Sequence, residues 1–575
     1  MRVHHATCYE MRKLMINIIL TQSIFSKARR NICSTLSLTS RSLSLSSPAM
    51  VLTESLSDWS FSEPKLASLP LDKETKNFVR RRVPGAVFSL VTPTGWTSQP
   101  RLVAFSAETL EEILDLSSSV TESREFVDWV SGNTVLQGSV PMAHRYGGYQ
   151  FGYWAEQLGD GRAHLLGEYL NSRGERWELQ LKGSGKTPYS RFGDGRAVLR
   201  SSMREFLCSE AMHHLGVPTS RAASLAVTDD PVARDMFYDG RLKQERAAVV
   251  LRLAPTWFRF GSFEILSLNK EHDELKQLAD FVLTNTFPDI TETGEEGYLA
   301  MFAEVLDKTA LLIAKWMSVG FAHGVLNTDN MSIAGITIDY GPFGFIDEYN
   351  PKFIPNHSDD MGRYDLENQA NIGLWNLDKL ATALKPLISV DKQKQLEMIL
   401  KGYGEKYQSY HLNIFRSKLG LLEKHDEDEA LIDLLLEIME SIEADFTQTF
   451  RDLSELSLED LRDVKIPETS WGLHQCLKNK KIHEFLKLYC KRFEKESLSD
   501  EERMEKMQKT NPRYILRNWM AQRAIEMAEN NDFSEVKFLL ELLKKPFQVN
   551  QSAEERGYAK TPPSWSKRLA VSCSS

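Results

Sequence analysis

The residues that could do chemistry gather in one stretch, His323-Gly-Val-Leu-Asn-Thr-Asp-Asn330, followed by Asp339-Tyr340-Gly341. Asp329, Asn330 and Asp339 offer two carboxylates and a carboxamide, a hard oxygen set that suits magnesium carried on the phosphates of a nucleotide. Between them Met331 to Ile338 alternates, with Ala334-Gly335 placed as a turn. A short hairpin is therefore expected to return Asp339 to the neighbourhood of Asp329 and Asn330, with His323 in the same polar loop.

The elements that must position this stretch can be read on both sides of it. Phe302, Val305, Leu306, Ile313, Trp316 and Met317 recur at helical spacing before the chain breaks at Gly324. Upstream, Gln150–Leu158, Arg162–Leu170 and Glu175–Lys182 read as a three-stranded meander, turned at Gly159-Asp160-Gly161 and at Asn171–Gly174. In the third strand Trp177, Leu179 and Leu181 alternate with Glu178, Gln180 and Lys182. A helix over Ala197–Leu215 carries Glu205 and stops at Gly216-Val217-Pro218. Arg191-Phe-Gly-Asp-Gly-Arg196 runs into that helix, and its glycines and arginines at a helix start predict an anion site. Arg252, on a strand over Val249–Leu253, and Arg259 beyond it could clamp phosphate oxygens. Gly183-Ser-Gly-Lys-Thr187 is not a P-loop, because Gln180 stands where the first glycine is needed and Pro188 blocks a helix start. Beyond Asp347 the chain turns helical, over Leu377–Ala383, Gln395–Tyr407, Asp426–Phe450 and Asn511–Glu529.

At 575 residues, 42% hydrophobic and 26% charged, the chain can bury more than one lobe. A net charge of −9 argues against general nucleic-acid binding. No apolar run reaches the length of a membrane span. The six cysteines, Cys8, Cys33, Cys208, Cys476, Cys490 and Cys573, are scattered without metal-binding spacing. Residues 1–50 are basic, Ser-rich and nearly free of acids, the composition of a mitochondrial transit peptide, so a mitochondrial location is expected. In the segment 51–140, Trp59 and Phe61 could pack on the body and Glu108–Leu116 reads as a helix. The tail from Gln551 holds little that can pack except Tyr558, Trp565 and Leu569, so Cys573 is expected to be exposed and mobile, with Cys476 or Cys490 as candidate disulfide partners.

The order of helix, polar loop and Asp-Tyr-Gly resembles the catalytic and metal loops of protein kinases, except that Gly324-Val325 stand where kinases carry Arg-Asp after the histidine. Longer blocks resemble the selenoprotein O family, from about Pro141 to the C-terminus. They include Leu158-Gly-Asp-Gly-Arg162, Leu179-Gln-Leu-Lys-Gly-Ser-Gly-Lys-Thr-Pro-Tyr-Ser-Arg191, Gly193-Asp-Gly-Arg-Ala-Val-Leu-Arg-Ser-Ser202, Arg259-Phe-Gly-Ser-Phe-Glu264 and Ile338-Asp-Tyr-Gly-Pro342.

The resemblance implies an α+β, protein-kinase-like fold, with a β-rich N-lobe at 141–265, a large helical C-lobe at 266–550 and a C-terminal extension at 551–575. It implies a protein adenylyltransferase that moves AMP from ATP to Ser, Thr or Tyr hydroxyls of proteins, with magnesium or manganese as cofactor. Gly159, Gly161, Arg162, Lys182, Asp194, Gly195, Arg252 and Arg259 would hold the nucleotide, with Glu205 fixing Lys182. Asp329 would accept the proton, and Asn330 and Asp339 would bind the metal. Ser572-Cys573-Ser574-Ser575 is similar to the family ending that carries selenocysteine, so a redox role would rest on Cys573. From the residues alone, phosphoryl transfer or a silent ATP-binding scaffold remain alternatives.

Overall fold

The computed structural model describes residues 51–74 and 79–572. The expected transit peptide and Cys573 lie outside these residues. Strands β1 (Leu71–Asp72), β2 (Phe88–Leu90), β3 (Arg101–Phe105), β4 (Met142–His144), β7 (Ala163–Leu170), β8 (Arg176–Lys182), β10 (Arg221–Asp235) and β11 (Leu242–Ala254) form one sheet in the order β1-β2-β4-β7-β8-β11-β10-β3. The short strand β9 (Ala197–Val198) completes it against β11. The segment before residue 141 is therefore part of the sheet, and it also buries Trp59 and Phe61 as expected. Its helix forms as a wide turn centred on Thr109–Ile113.

The expected meander is corrected at its first strand. β7 and β8 pair, Ala163 opposite Lys182, but β4 is the other neighbour of β7. Residues 149–154 instead fold into a separate hairpin of β5 (Tyr149–Gln150) and β6 (Tyr153–Trp154), turned by Phe151 (φ 51°) and Gly152 (φ 90°). The aromatic side chains explain the choice. Tyr149 packs on Trp375 and Phe151 on Tyr364, with ring centroids 5.5 and 5.2 Å apart, so the hairpin is held by the helical half rather than by the sheet.

α1 (Arg124–Ser131) and α2 (Leu199–His214) pack on the sheet, and the helical half is built on α3 (Phe260–Leu268), α4 (His272–Thr286), α5 (Gly294–Ser318) and α6 (Gln369–Leu384), then on further helices to the C-terminus. Together with the sheet they make the two-lobed, kinase-like α+β arrangement. Three expected helices change. Gln395–Tyr407 divides at Gly402 into α7 (Val390–Lys401) and α8 (Tyr403–Lys418). Asp426–Phe450 divides at Glu443 (φ 54°) into α9 (Asp428–Ile442) and α10 (Phe446–Leu453), the second capped by Asp445. The third begins only at Asn518, because the Arg517 guanidinium is drawn into the core by Asp445 (2.8 Å) and Asp347 (2.5 Å).

Met331–Ile338 does not pair with itself, a second correction. Ser332 bridges to Arg259 and Thr337 to Thr219, while Gly335 (φ 68°) makes the turn. An isolated hairpin this short has little stability of its own, whereas neighbouring chain segments here supply its backbone partners. The outcome is the one the hairpin was invoked for: Asp339 is delivered to the cleft, followed by β13 (Gly344–Phe345), which pairs β12 (Phe321–Ala322).

The tail is also corrected, because it is anchored as far as Ser572. Val571 bridges to Asn356 and accepts from the His357 amide at 2.8 Å, and the buried Ser572 hydroxyl donates to the Met236 carbonyl. Cys476 and Cys490 are buried free thiols, and burial pushes the first up to about 12 and raises the second. Neither is placed to act as an exposed thiolate partner. Among the described residues no helix is long and apolar enough to cross a membrane.

Candidate active site

β8 carries Lys182 to the cleft, and α2, starting where β9 leaves the sheet, presents Glu205 to it. Lys182 Nζ lies 2.9 Å from Glu205 Oε2 and 2.8 Å from Asp339 Oδ1. Arg252 stands opposite Gln180 in the β8–β11 register. Its Nη1 donates to Glu205 Oε1 at 2.7 Å and lies 3.7 Å from Asp339 Oδ1, its Nη2 donates to Gln180, and its guanidinium covers the Trp257 ring at 4.5 Å. Two cations and two carboxylates thus balance one another out of water, which is what makes such a buried cluster tolerable. Burial alone would raise the Asp339 carboxyl, yet Lys182 and Arg252 hold it far below the usual carboxylate range. Arg162 is close enough to feel Asp339 and Glu205, although burial lowers its own pKa.

Asp329 is treated differently. It sits in a tight turn, Thr328–Asn330, whose Thr328 hydroxyl donates to Glu264 at 2.6 Å and accepts from the Tyr149 amide at 2.8 Å. The β5–β6 hairpin then lies over the carboxylate. Gln150 Nε2 donates to Oδ2 at 3.2 Å, and a Cβ on Gly148 would fall 2.5 Å from Oδ1. Oδ1 itself is buried with no hydrogen-bond donor among the described residues. Burial pushes this carboxyl up to about 6, against the Gln150 hydrogen bond and the nearby Arg259 charge. Glu264, buried beside it, is pushed by burial to about 8 and so stays protonated near neutrality.

Several of the expected site residues are engaged with other parts of the chain. Arg252 and Arg259 do not form an open clamp: the Arg259 Nη1 donates to the Asp329 carbonyl at 2.7 Å, its Nη2 is 3.8 Å from Asp160, and its guanidinium covers Tyr146 at 4.6 Å. They hold the acids in place, and only their Nε atoms are buried without a partner. His323 leaves the polar loop for the core, packed on Trp316 and Phe321, and burial lowers it to about 4.

The glycine-rich features are closely packed against their neighbours. A Cβ on Gly159 or Gly161 would meet Tyr189 at 2.5 and 2.6 Å, and the Asp160 and Gly161 amides bond to the His144 and Gly159 carbonyls. α2 begins at Leu199, directly after the short strand β9, and has no side-chain cap. Asp194 is instead gripped by both Arg234 Nη atoms at 2.7 and 2.8 Å, and Arg196 stacks on Trp96 at 3.6 Å. Gly195 (φ 75°) lets the backbone of Gly185 approach, where a Cβ would be 2.2 Å from its carbonyl carbon.

Gln150, Glu264, Thr328 and Arg234 were not singled out from sequence. They are single polar residues without periodicity, and only contact between distant segments reveals them; Asp160, within the glycine turn, could have been noticed there.

Among the described residues no three His, Cys, Asp or Glu side chains converge as a closed metal cage. A magnesium ion borne on a nucleotide does not need one, because one or two protein oxygens suffice when phosphates and water complete the shell. The ionised Asp339 and the Asn330 carboxamide, whose Nδ2 donates to the Val325 carbonyl at 2.9 Å, have that chemistry.

A lysine paired with a helix glutamate, an ionised carboxylate beside it and a second carboxylate with raised affinity for a proton, set between two lobes, are the arrangement of a kinase-like nucleotide-handling enzyme. Comparison with known proteins narrows the class. The family described as "Protein adenylyltransferase SelO" matches residues 83–544. The "Protein nucleotidyltransferase YdiU" of Xanthomonas euvesicatoria pv. vesicatoria (strain 85-10) is 46% identical over 513 residues, 88% of this chain and 98% of the relative. The proteins of the same name from Methylobacillus flagellatus and from Azoarcus sp. (strain BH72) are each 44% identical, covering 89% and 88% of this chain and 98% of their own. The chain belongs to the SelO family and is an enzyme, a protein nucleotidyltransferase.

Proposed function

We propose that the chain transfers AMP from ATP to Ser, Thr or Tyr hydroxyls of protein substrates and releases pyrophosphate. The observation that carries this reading is the pairing of an ionised Asp339 beside Lys182 with a buried Asp329 whose Oδ1 has no donor. Lys182, fixed by Glu205, holds phosphate oxygens, with Arg162 and the 159–161 turn alongside. Arg252, Arg259, Asp194 and Gly195 position these groups from behind. Asn330 and Asp339 would hold magnesium, or manganese in its place, which when bound neutralises phosphate charge and polarises the reacting phosphorus.

Asp329 Oδ1 accepts the proton of the acceptor hydroxyl. As that O–H bond breaks, the hydroxyl oxygen bonds to the α-phosphorus, the α–β anhydride bond breaks, and its electron pair leaves on pyrophosphate. The β5–β6 hairpin keeps bulk water off Asp329, and this is what leaves its carboxyl basic enough to act near neutral pH.

Parallel incubation with ATP labelled at the α- or the γ-phosphate tests the reading. Protein labelled from α alone is expected. Label from γ alone would replace the proposal with phosphoryl transfer, and label from neither with a silent ATP-binding scaffold.

The basic first fifty residues are proposed to direct import into mitochondria, and Cys573 to exchange disulfides with other proteins and so link the enzyme to redox state. A reporter fused to residues 1–50 that stays cytosolic would remove the first. Cys573 found fully reduced after mild oxidation would remove the second.

A further inference from the structure

Beside the hairpin that covers Asp329 lies an open cavity of about 280 Å³ that no step of the proposed reaction uses. Arg80, Arg81, Arg82 and Arg191 line it, against one acid, Glu156, in a chain whose net charge is −9. The wall is built rather than incidental. Gln157 Oε1 accepts from the Val83 amide and its Nε2 donates to the Arg81 carbonyl, each at 2.9 Å, so the arginine segment is tied by its backbone to the residues that follow the hairpin. The Arg81 amide also reaches the Pro188 carbonyl at 3.4 Å.

The charges of the cavity are only partly answered within the chain. Arg81 pairs with Asp72, and Arg82 meets Glu156 at 2.6 Å, with both side chains mostly exposed. An ion pair so open to water contributes little and exchanges easily with a ligand carboxylate. Among the described residues neither Arg80 nor Arg191 makes a direct ion pair, although Arg191 acts at longer range on Asp329, and Arg80 rests on the ring of Phe192, itself 95% exposed. Glu156 (φ 56°) and Arg191 (φ 52°) both hold left-handed backbone conformations, a strain that folds keep at sites of use.

The position of the cavity decides between two anionic ligands. Tyr189 lines it as well, and the same residue lies against Gly159 through its ring and against Gly161 through its carbonyl, so the cavity adjoins the turn expected at the nucleotide. Ala155 and Glu156 continue the hairpin whose Gln150 touches Asp329, which places the cavity on the acceptor side.

We propose that this cavity binds acidic side chains of the protein acceptor, carboxylates flanking the hydroxyl that is to be modified. The inference rests on the adenylyl-transfer reading for the acceptor hydroxyl, but the binding can be measured without turnover. Arginine forks suit carboxylates bidentately, and four of them facing one open depression fit an extended acidic segment better than a single small anion.

The test uses the full chain with fluorescent peptides carrying a central Ser or Thr flanked by Glu, Gln or Lys. Anisotropy without ATP is expected to rank Glu above Gln above Lys, with a roughly three- to tenfold preference for Glu over Gln. Arg80→Glu/Arg82→Glu, on exposed side chains, should collapse that preference and favour the Lys peptide, a reversal that simple unfolding cannot produce. The same ranking is expected in KM for the peptide when transfer is followed.

If peptides bind in this order but none takes label from ATP, the transfer reading fails while the cavity assignment stands. Equal binding of the three peptides by the unaltered chain overturns the cavity assignment. It is equally overturned if the double variant raises KM for ATP and leaves the peptide ranking unchanged, because the arginines would then serve the nucleotide.

Discussion

Asp339 and Asp329 are the same side chain in the same cleft, and the fold drives them in opposite directions. Asp339 sits 2.8 Å from Lys182 and 3.7 Å from Arg252, so its charge is answered and its proton is lost at any working pH. Asp329 is the more deeply buried of the two, its nearest side-chain donor is the neutral Gln150 amide at 3.2 Å, and its pKa climbs to about 6. A metal ligand must be ionised always; a base must hold and release a proton near neutrality. Burial supplies the second condition, and burial with adjacent cations supplies the first.

The largest break in this comparison is expected from Asp339→Asn. Without the permanent charge the site should lose metal-dependent transfer by about 10³-fold or more. Titrating magnesium against label transfer checks it; a variant restored by excess metal alone would show that the charge only tunes affinity.

Asp329→Asn should lower kcat by about 10²–10⁴-fold with little change in KM for ATP. The same substitution is expected to stabilise the fold. The Asp329 pKa is raised on folding, so its carboxyl is fully tolerated below its unfolded value of 3.8 and becomes unfavourable as pH rises through about 6. Removing the charge should therefore recover on the order of 2–3 kcal/mol at pH 7 and almost nothing at pH 3. Denaturant unfolding at the two pH values measures this, and an equal effect at both would contradict the linkage.

The pH dependence of kcat sharpens the comparison. Activity should fall tenfold per unit below about pH 6, where Asp329 becomes protonated, while Asp339 adds no limb of its own. A limb that survives in Asp329→Asn would assign it to another group.

The smallest effect is expected from Gln150→Ala. Loss of its hydrogen bond to Asp329 removes an interaction that favours the charged form, so the acid limb should move upward by less than about one unit. That is a several-fold loss at pH 6 and almost none at pH 8. A limb that stays in place or moves downward would contradict this role for the Gln150 hydrogen bond.

The chemical inventory of the site was present in the chain as text. Asp329, Asn330 and Asp339 stand in one stretch, Lys182 ends an alternating strand, and Glu205 lies on the next helix; such local patterns follow from backbone periodicity and need no partner to be read. What each group is engaged in was decided only by tertiary contact. Arg252 and Arg259 look like phosphate clamps in sequence, yet Glu205, Gln180 and the Asp329 carbonyl occupy them. The glycines of 159–161 read as a flexible turn in sequence, and only the fold shows that Tyr189 lies too close for a Cβ at Gly159 or Gly161. Gln150 carries no mark until the hairpin folds back on a loop far away in the chain. A pKa depends on burial and on charges brought together across such distances, so two identical aspartates could be placed by sequence but told apart only by the fold.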